Sequence, residues 1–137
     1  MAALPVLDPK LVYEFVGVAH TDLKRVQELL TQEPNLVNCA RDWGGGDWET
    51  GLGAAAHMGR ADIANFLLQH GARLDIFAAA MLGKLEIVKA AVLDNPEIIH
   101  VKGPHDIPLI AHAMAGGEAA AEVAAFLEKQ VAIQSQG

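Results

Sequence analysis

The sequence predicts an all-α domain made of about four helix-pair repeats. Three observations predict it. Alanine is abundant, in runs such as Ala54 to Ala56, Ala78 to Ala80 and Ala119 to Ala121. Alanine is the best helix former and lets helices approach closely. Strand formers in period-two alternation are scarce. Four segments also share one pattern: "FVGVAHTDLKRVQELL" from Phe15, "LGAAAHMGRADIANFLL" from Leu52, "IFAAAMLGKLEIVKAAV" from Ile76 and "LIAHAMAGGEAAAEVAAFL" from Leu109. Each runs from a short small-residue stretch through a polar or glycine break to an apolar stretch at helical spacing. A chain of 137 residues is long enough to bury one core, so residues 1–137 are expected to form a single domain, with repeats at about 9–37, 48–75, 76–100 and 107–130.

The elements follow in order. Asp8-Pro9 suits a helix start, with Asp as N-cap and Pro in the first helical position. Asp22, Gly59, Gly83 and Gly116 stand at equivalent breaks, where the chain reverses between the two helices of a pair. Ile63, Phe66 and Leu67 are expected on the inner side of the second helix of repeat two. Ile87, Ala90 and Ala91 are their counterparts in repeat three. Pro34 and Pro96 end the second helices of repeats one and three, and Gly71 caps that of repeat two. In the last repeat Glu118, Glu122, Glu128 and Lys129 supply a polar outer side. A helix pair of this kind cannot cover its own apolar faces, so stability is shared along the row.

The segment from Thr50 to Asp75, "TGLGAAAHMGRADIANFLLQHGARLD", resembles an ankyrin repeat. Thr50, Leu52, Ala55, Ala56, Gly59, Ile63, Leu67, Leu68, Gly71 and Ala72 match that family's pattern, while Gly51 and Gly53 replace its Pro and His. The resemblance covers about residues 9–130. It implies an ankyrin-like solenoid and says little about activity.

Ankyrin repeats are about 33 residues long, with a hairpin between successive helix pairs. Here only 24 positions separate Gly59 from Gly83, so the hairpin between repeats two and three is missing and Ala72 to Asp75 form a tight link. By contrast, 37 positions separate Asp22 from Gly59, and the excess lies in "NCARDWGGGDWET". A gap is therefore expected opposite repeat three. The 41–50 loop, with Trp43 and Trp48, forms one wall, and the 102–108 loop, with His105 and Asp106, forms the other. The inner helix of repeat three, with Phe77, Ala78 and Met81, forms the floor.

Composition excludes several functions. A net charge of −7, with ten Lys and Arg in no cluster, argues against nucleic-acid binding. Cys39 is alone, so no intrachain disulfide is expected, and a reducing, cytoplasmic compartment follows. No signal-peptide pattern and no apolar run of ~18 residues is present, so no membrane association is expected. Ser135 is the sole serine and lies far from any histidine, which argues against a serine nucleophile.

His20 and His57 occupy equivalent positions, continued by Met81 and Met114 in a ladder. Adjacent helices lie roughly 10 Å apart. That spacing sets the two imidazoles too far apart to share a metal, and no metal or other cofactor is expected. His100, His105 and His112 match no common zinc spacing either.

Candidate contact residues are thus Asp42, Trp43, Asp47, Trp48, His57, Phe77, Met81, His105 and Asp106. The expected function is a protein-interaction module, monomeric, using its concave face and the Trp-rich loop. The alternative is a small-molecule binder or an atypical enzyme with an acid–base pocket, in which Asp47, Glu49, His57 and His105 are the candidates.

Overall fold

A computed structural model describes residues 3–136, so Met1, Ala2 and Gly137 of the expected 1–137 domain lie outside the described residues. The chain is mostly helical. Among the described residues eight α-helices follow one another in four pairs: α1 (Pro9–Val18) with α2 (Leu23–Gln32), α3 (Gly51–His57) with α4 (Ala61–Gln69), α5 (Ile76–Met81) with α6 (Leu85–Asp94), and α7 (Leu109–Ala115) with α8 (Ala121–Ser135). Asp8, Asp22, Thr50 and Asp75 cap four of them, each side chain accepting a backbone N–H of the first turn. Pro34 and Pro96 do not simply stop helices. Each opens a short 3-10 helix, Pro34–Asn38 and Pro96–His100.

The connectors differ as their lengths require. Between α2 and α3 the chain forms an antiparallel hairpin, β1 (Ala40–Asp42) and β2 (Trp48–Thr50), in the register Ala40 to Thr50, Arg41 to Glu49 and Asp42 to Trp48. This small sheet qualifies the all-α expectation. Between α4 and α5 no strand forms among the described residues. Between α6 and α7 the 3-10 turn Pro104–Asp106 is closed by a bridge between Lys102 and Pro108, and both His105 and Asp106 take left-handed backbone conformations.

The first helices of the pairs pack in series, α1 on α3, α3 on α5 and α5 on α7, and α7 also reaches α3 across the six-residue α5. Small side chains make this possible. Ala78, Ala79, Ala80 and Met81 of α5 are all buried, the first and last in an apolar cluster with Phe15, Leu52 and Leu67, the middle two in a cluster with Val88, Leu109 and Val123. Cys39 packs at the edge of the first cluster, and burial pushes its thiol up to about 11, so it stays protonated and inert.

Two expectations fail here. Met81 and Ala78 are core residues and cannot floor a binding gap. In α6 the inward residues are Val88 and Val92, while Ala90 is exposed and Ile87 is 44% exposed. The helix is apolar nearly all round, so its periodicity does not select a face. One further difference is that α8 runs to Ser135, past the expected end of repeat four.

Gly83 shows how tight the packing is. Its φ is +74°, and a Cβ there would run into the Ala119 carbonyl oxygen. Gly17, inside α1, has open space around a Cβ. Gly83→Ala is expected to cost at least about 2 kcal/mol, because both strain and backbone collision oppose it. Gly17→Ala should be neutral or stabilise by up to ~1 kcal/mol. Urea denaturation of both variants checks the contrast.

A buried histidine adds a pH dependence. His112 Nδ1 donates to the Pro108 carbonyl at 3.0 Å, and its Nε2 has no hydrogen-bond partner among the described residues. Burial pushes the imidazole below its usual 6.5, against the opposing pull of the Pro108 carbonyl. The folded state therefore takes up this proton less readily than the unfolded chain. Stability from His112 is complete above about pH 6.5 and is lost as pH falls below that value. Thermal melts from pH 7.5 to 5 should fall less steeply for His112→Asn, which keeps a donor for Pro108, than for the native chain. Parallel slopes would exclude His112 as the source.

Candidate functional site

Glu49 is the centre of the site. It is the middle residue of β2, and strand alternation turns Trp48 outward and Glu49 inward. Its side chain is 0% exposed. A carboxylate so placed needs donors or cations around it, and four elements converge on it.

His20, just past the end of α1, places Nε2 3.2 Å from Glu49 Oε1. Its other ring nitrogen, Nδ1, lies 2.9 Å from the Gly17 carbonyl and 3.1 Å from that of Val16, so Nδ1 carries a proton. His57, the last residue of α3, places Nε2 3.0 Å from Glu49 Oε2. That approach is off the line of a hydrogen bond, and both atoms are buried without a hydrogen-bond partner among the described residues. His105 arrives from the α6–α7 connector with Nε2 3.3 Å from Glu49 Oε2. The Trp43 indole N–H donates to Glu49 Oε1 at 2.9 Å. The rings pack edge to face, with centroids 5.0 Å apart for His20 and His57 and 5.4 Å for His57 and His105.

Asp47 fastens the connector to the hairpin. One carboxylate oxygen accepts the His105 backbone N–H at 2.8 Å, and the other accepts Nδ1–H of the same residue at 2.7 Å. The left-handed backbone at His105 lets both donors face one carboxylate. At the hairpin tip Asp42 is occupied locally, accepting the N–H groups of Gly44 and Gly46. Trp43 is backed by the Arg41 guanidinium, 3.7 Å from its ring, which also lies 4.7 Å from the ring of Tyr13.

The electrostatics follow from this geometry. Burial alone would raise the Glu49 carboxyl. The imidazoles of His20 and His57 outweigh it and hold the group down at about 2. The contact with Glu49 raises His20 above its usual value, against a smaller opposing effect of burial. The His105 backbone N–H, followed by its ring, lowers Asp47.

Beside this cluster lies a cavity of about 730 Å³. It is lined by the tip glycines, Asp47 and Trp48 on the hairpin side, by Lys102, Gly103, Pro104, His105 and Asp106 on the connector side, and by Phe77. His105 belongs to both cavity and cluster, and Asp47, which lines the cavity, holds it in place.

The sequence-derived candidates therefore divide. Asp47, Trp48, Phe77, His105 and Asp106 line the cavity. Glu49 is the buried carboxylate, and Trp43 and His57 join His20 around it. Asp42 serves the turn, and Met81 lies in the core. With Met81 buried and Met114 65% exposed, the expected histidine–methionine ladder does not form. The expected separation of His20 and His57 also fails. The helix spacing of roughly 10 Å is a distance between axes, and imidazoles leaning toward one carboxylate close most of it. Sequence reasoning omitted His20 from the site. Its equivalence to His57 in the repeat was the available signal. The sequence sets His105 beside Asp106 in one wall, whereas its side-chain partner is Asp47.

Comparison with protein-family models, with curated proteins and with solved structures returned no match. Among the described residues, no helix is long and apolar enough to cross a membrane.

Removing the central carboxylate leaves the Trp43 N–H without its acceptor and the imidazoles of His20, His57 and His105 without the negative charge they face. Glu49→Ala is expected to destabilise the fold by roughly 3–5 kcal/mol, the usual cost of deleting one partner from a buried charged network. Urea denaturation at pH 7 measures it. A loss below about 1 kcal/mol would show that the cluster contributes little to folding.

Proposed function

We propose that this chain binds a small polar molecule in the cavity between the hairpin and the α6–α7 connector. The observation that carries the reading is the Asp47–His105 pair, which ties the two connectors together across the third helix pair and leaves a walled space beside it. The lining suits a ligand with both polar groups and a flat or apolar face. Lys102 offers a cation, Asp47 and Asp106 offer carboxylates, and Trp48 and Phe77 offer aromatic surface. Of the acid–base candidates, Asp47 and His105 reach this space, whereas Glu49 and His57 stand behind them. We read the four helix pairs as an ankyrin-like solenoid that lacks the finger between pairs two and three. The missing finger is what opens room for the ligand.

A protein partner is the second reading, and the exposure of Trp48 (60%) and Met114 (65%) favours it. Large apolar side chains in water are common anchors at interfaces.

Thermal-shift screening of the full chain against amino acids, sugars, nucleosides and sugar phosphates tests the first reading. A ligand at a hundred times its dissociation constant adds about 2.7 kcal/mol, and Trp48→Ala should reduce that shift at fixed ligand concentration. If no compound class shifts the native chain, and Trp48→Ala instead abolishes capture of a protein, the second reading replaces the first.

A further inference from the structure

We propose that His20, Glu49, His57 and His105 form a site for one divalent transition-metal ion of the zinc class. One ligand atom from each residue lies within 4.8 Å of all the others. Bonds of 2.0–2.1 Å at tetrahedral angles place neighbouring ligand atoms roughly 3.3 Å apart. From Glu49 Oε2 the His57 and His105 Nε2 atoms lie 3.0 and 3.3 Å away, close to that edge length, and His20 Nε2 lies 3.2 Å from Oε1 of the same carboxylate.

The protonation pattern points the same way. The Nδ1 atoms of His20 and His105 are committed as donors to backbone carbonyls and to Asp47. In the neutral ring the lone pair is then on Nε2, and both Nε2 atoms face Glu49. Lone pairs facing a buried carboxylate repel unless a cation lies between them. Protons serve that role only along a nitrogen–oxygen line. Glu49 Oε2 and His57 Nε2 do not lie on one, and both are buried and unpartnered. A metal ion satisfies both atoms at once.

The surroundings fit as well. Ligating histidines characteristically donate their second ring N–H to a carbonyl or carboxylate, which fixes ring and tautomer. His20 does so to Val16 and Gly17, and His105 does so to Asp47, while Trp43 holds the second carboxylate oxygen. Three imidazoles and one carboxylate suit zinc, cobalt or nickel and poorly suit magnesium or calcium, which prefer all-oxygen shells. His105 is 31% exposed and borders the cavity, so an ion there is reachable from solvent. The site is distinct from the cavity reading and shares His105 with it.

The test uses the full, untagged chain stripped with chelator and titrated with Zn²⁺ by calorimetry, and with Co²⁺ by visible absorption. One ion per chain, a rise in melting temperature and the intense visible bands of low-coordinate cobalt are expected. His57→Gln and His105→Gln should each weaken binding at least tenfold with circular dichroism unchanged. Asp47→Asn, which acts only through His105, should weaken it by ~10–100-fold. His100→Gln, outside the cluster, should bind as the native chain does, and so should Trp48→Ala, which separates this site from the cavity ligand. Two results would overturn the proposal. One is a folded native chain that takes up no zinc at micromolar concentration. The other is affinity unchanged in both His57→Gln and His105→Gln; either leaves only a proton-bridged network.

Discussion

A carboxylate buried at Glu49 is the constraint on which the candidate site depends. Charge in an apolar interior is costly unless hydrogen bonds and opposite charge surround it. The Trp43 N–H meets one oxygen, and imidazoles from α1, α3 and the α6–α7 connector approach both. Three of those groups are held from behind, His20 by helix-end carbonyls, Trp43 by the Arg41 guanidinium and His105 by Asp47. The site therefore joins segments far apart in sequence. Residues 20, 49, 57 and 105 meet only when three of the four helix pairs are correctly placed.

The backbone around the cluster is arranged to allow this meeting. The link between α4 and α5 is short, α5 has only six residues, and its buried face is almost all alanine. Helices therefore approach closely enough for α7 to touch α3. Where they approach, glycine replaces side chains, as at Gly59 against Ala115, Gly83 against Ala119 and Gly116 against the Met81 carbonyl. The connectors flanking this short middle pair are then near enough for Asp47 to hold His105 by two hydrogen bonds. The cavity beside that pair is a consequence of the same geometry, and Phe77 in the first turn of α5 borders it.

Much of the scaffold was legible in the chain. The Asp8 cap, the prolines after α2 and α6, and the glycine reversals are local effects, each decided by a few neighbouring atoms. The unequal connector lengths were legible too, because they are counts along the sequence. Faces were less secure. In α4 a polar side singles out Ile63 and Leu67, and both are buried, whereas the nearly uniform apolar surface of α6 left Val88 and Ile87 indistinguishable until packing chose between them. Exposure of a single side chain was not readable at all: Met81 and Met114 hold the same repeat position, yet one is buried and the other is in water.

By itself, the sequence determined which segments are helical, where most of them begin or reverse, and that one connector is long while another is nearly absent. Those properties depend on backbone torsions and on residues within one turn of each other. Only the tertiary structure decided that His20, Glu49, His57 and His105 share one point, and that Asp47 rather than Asp106 partners His105. Side-chain contact across 58 positions of chain is set by how helices lean on one another, to within an ångström or two, and no local pattern encodes that distance.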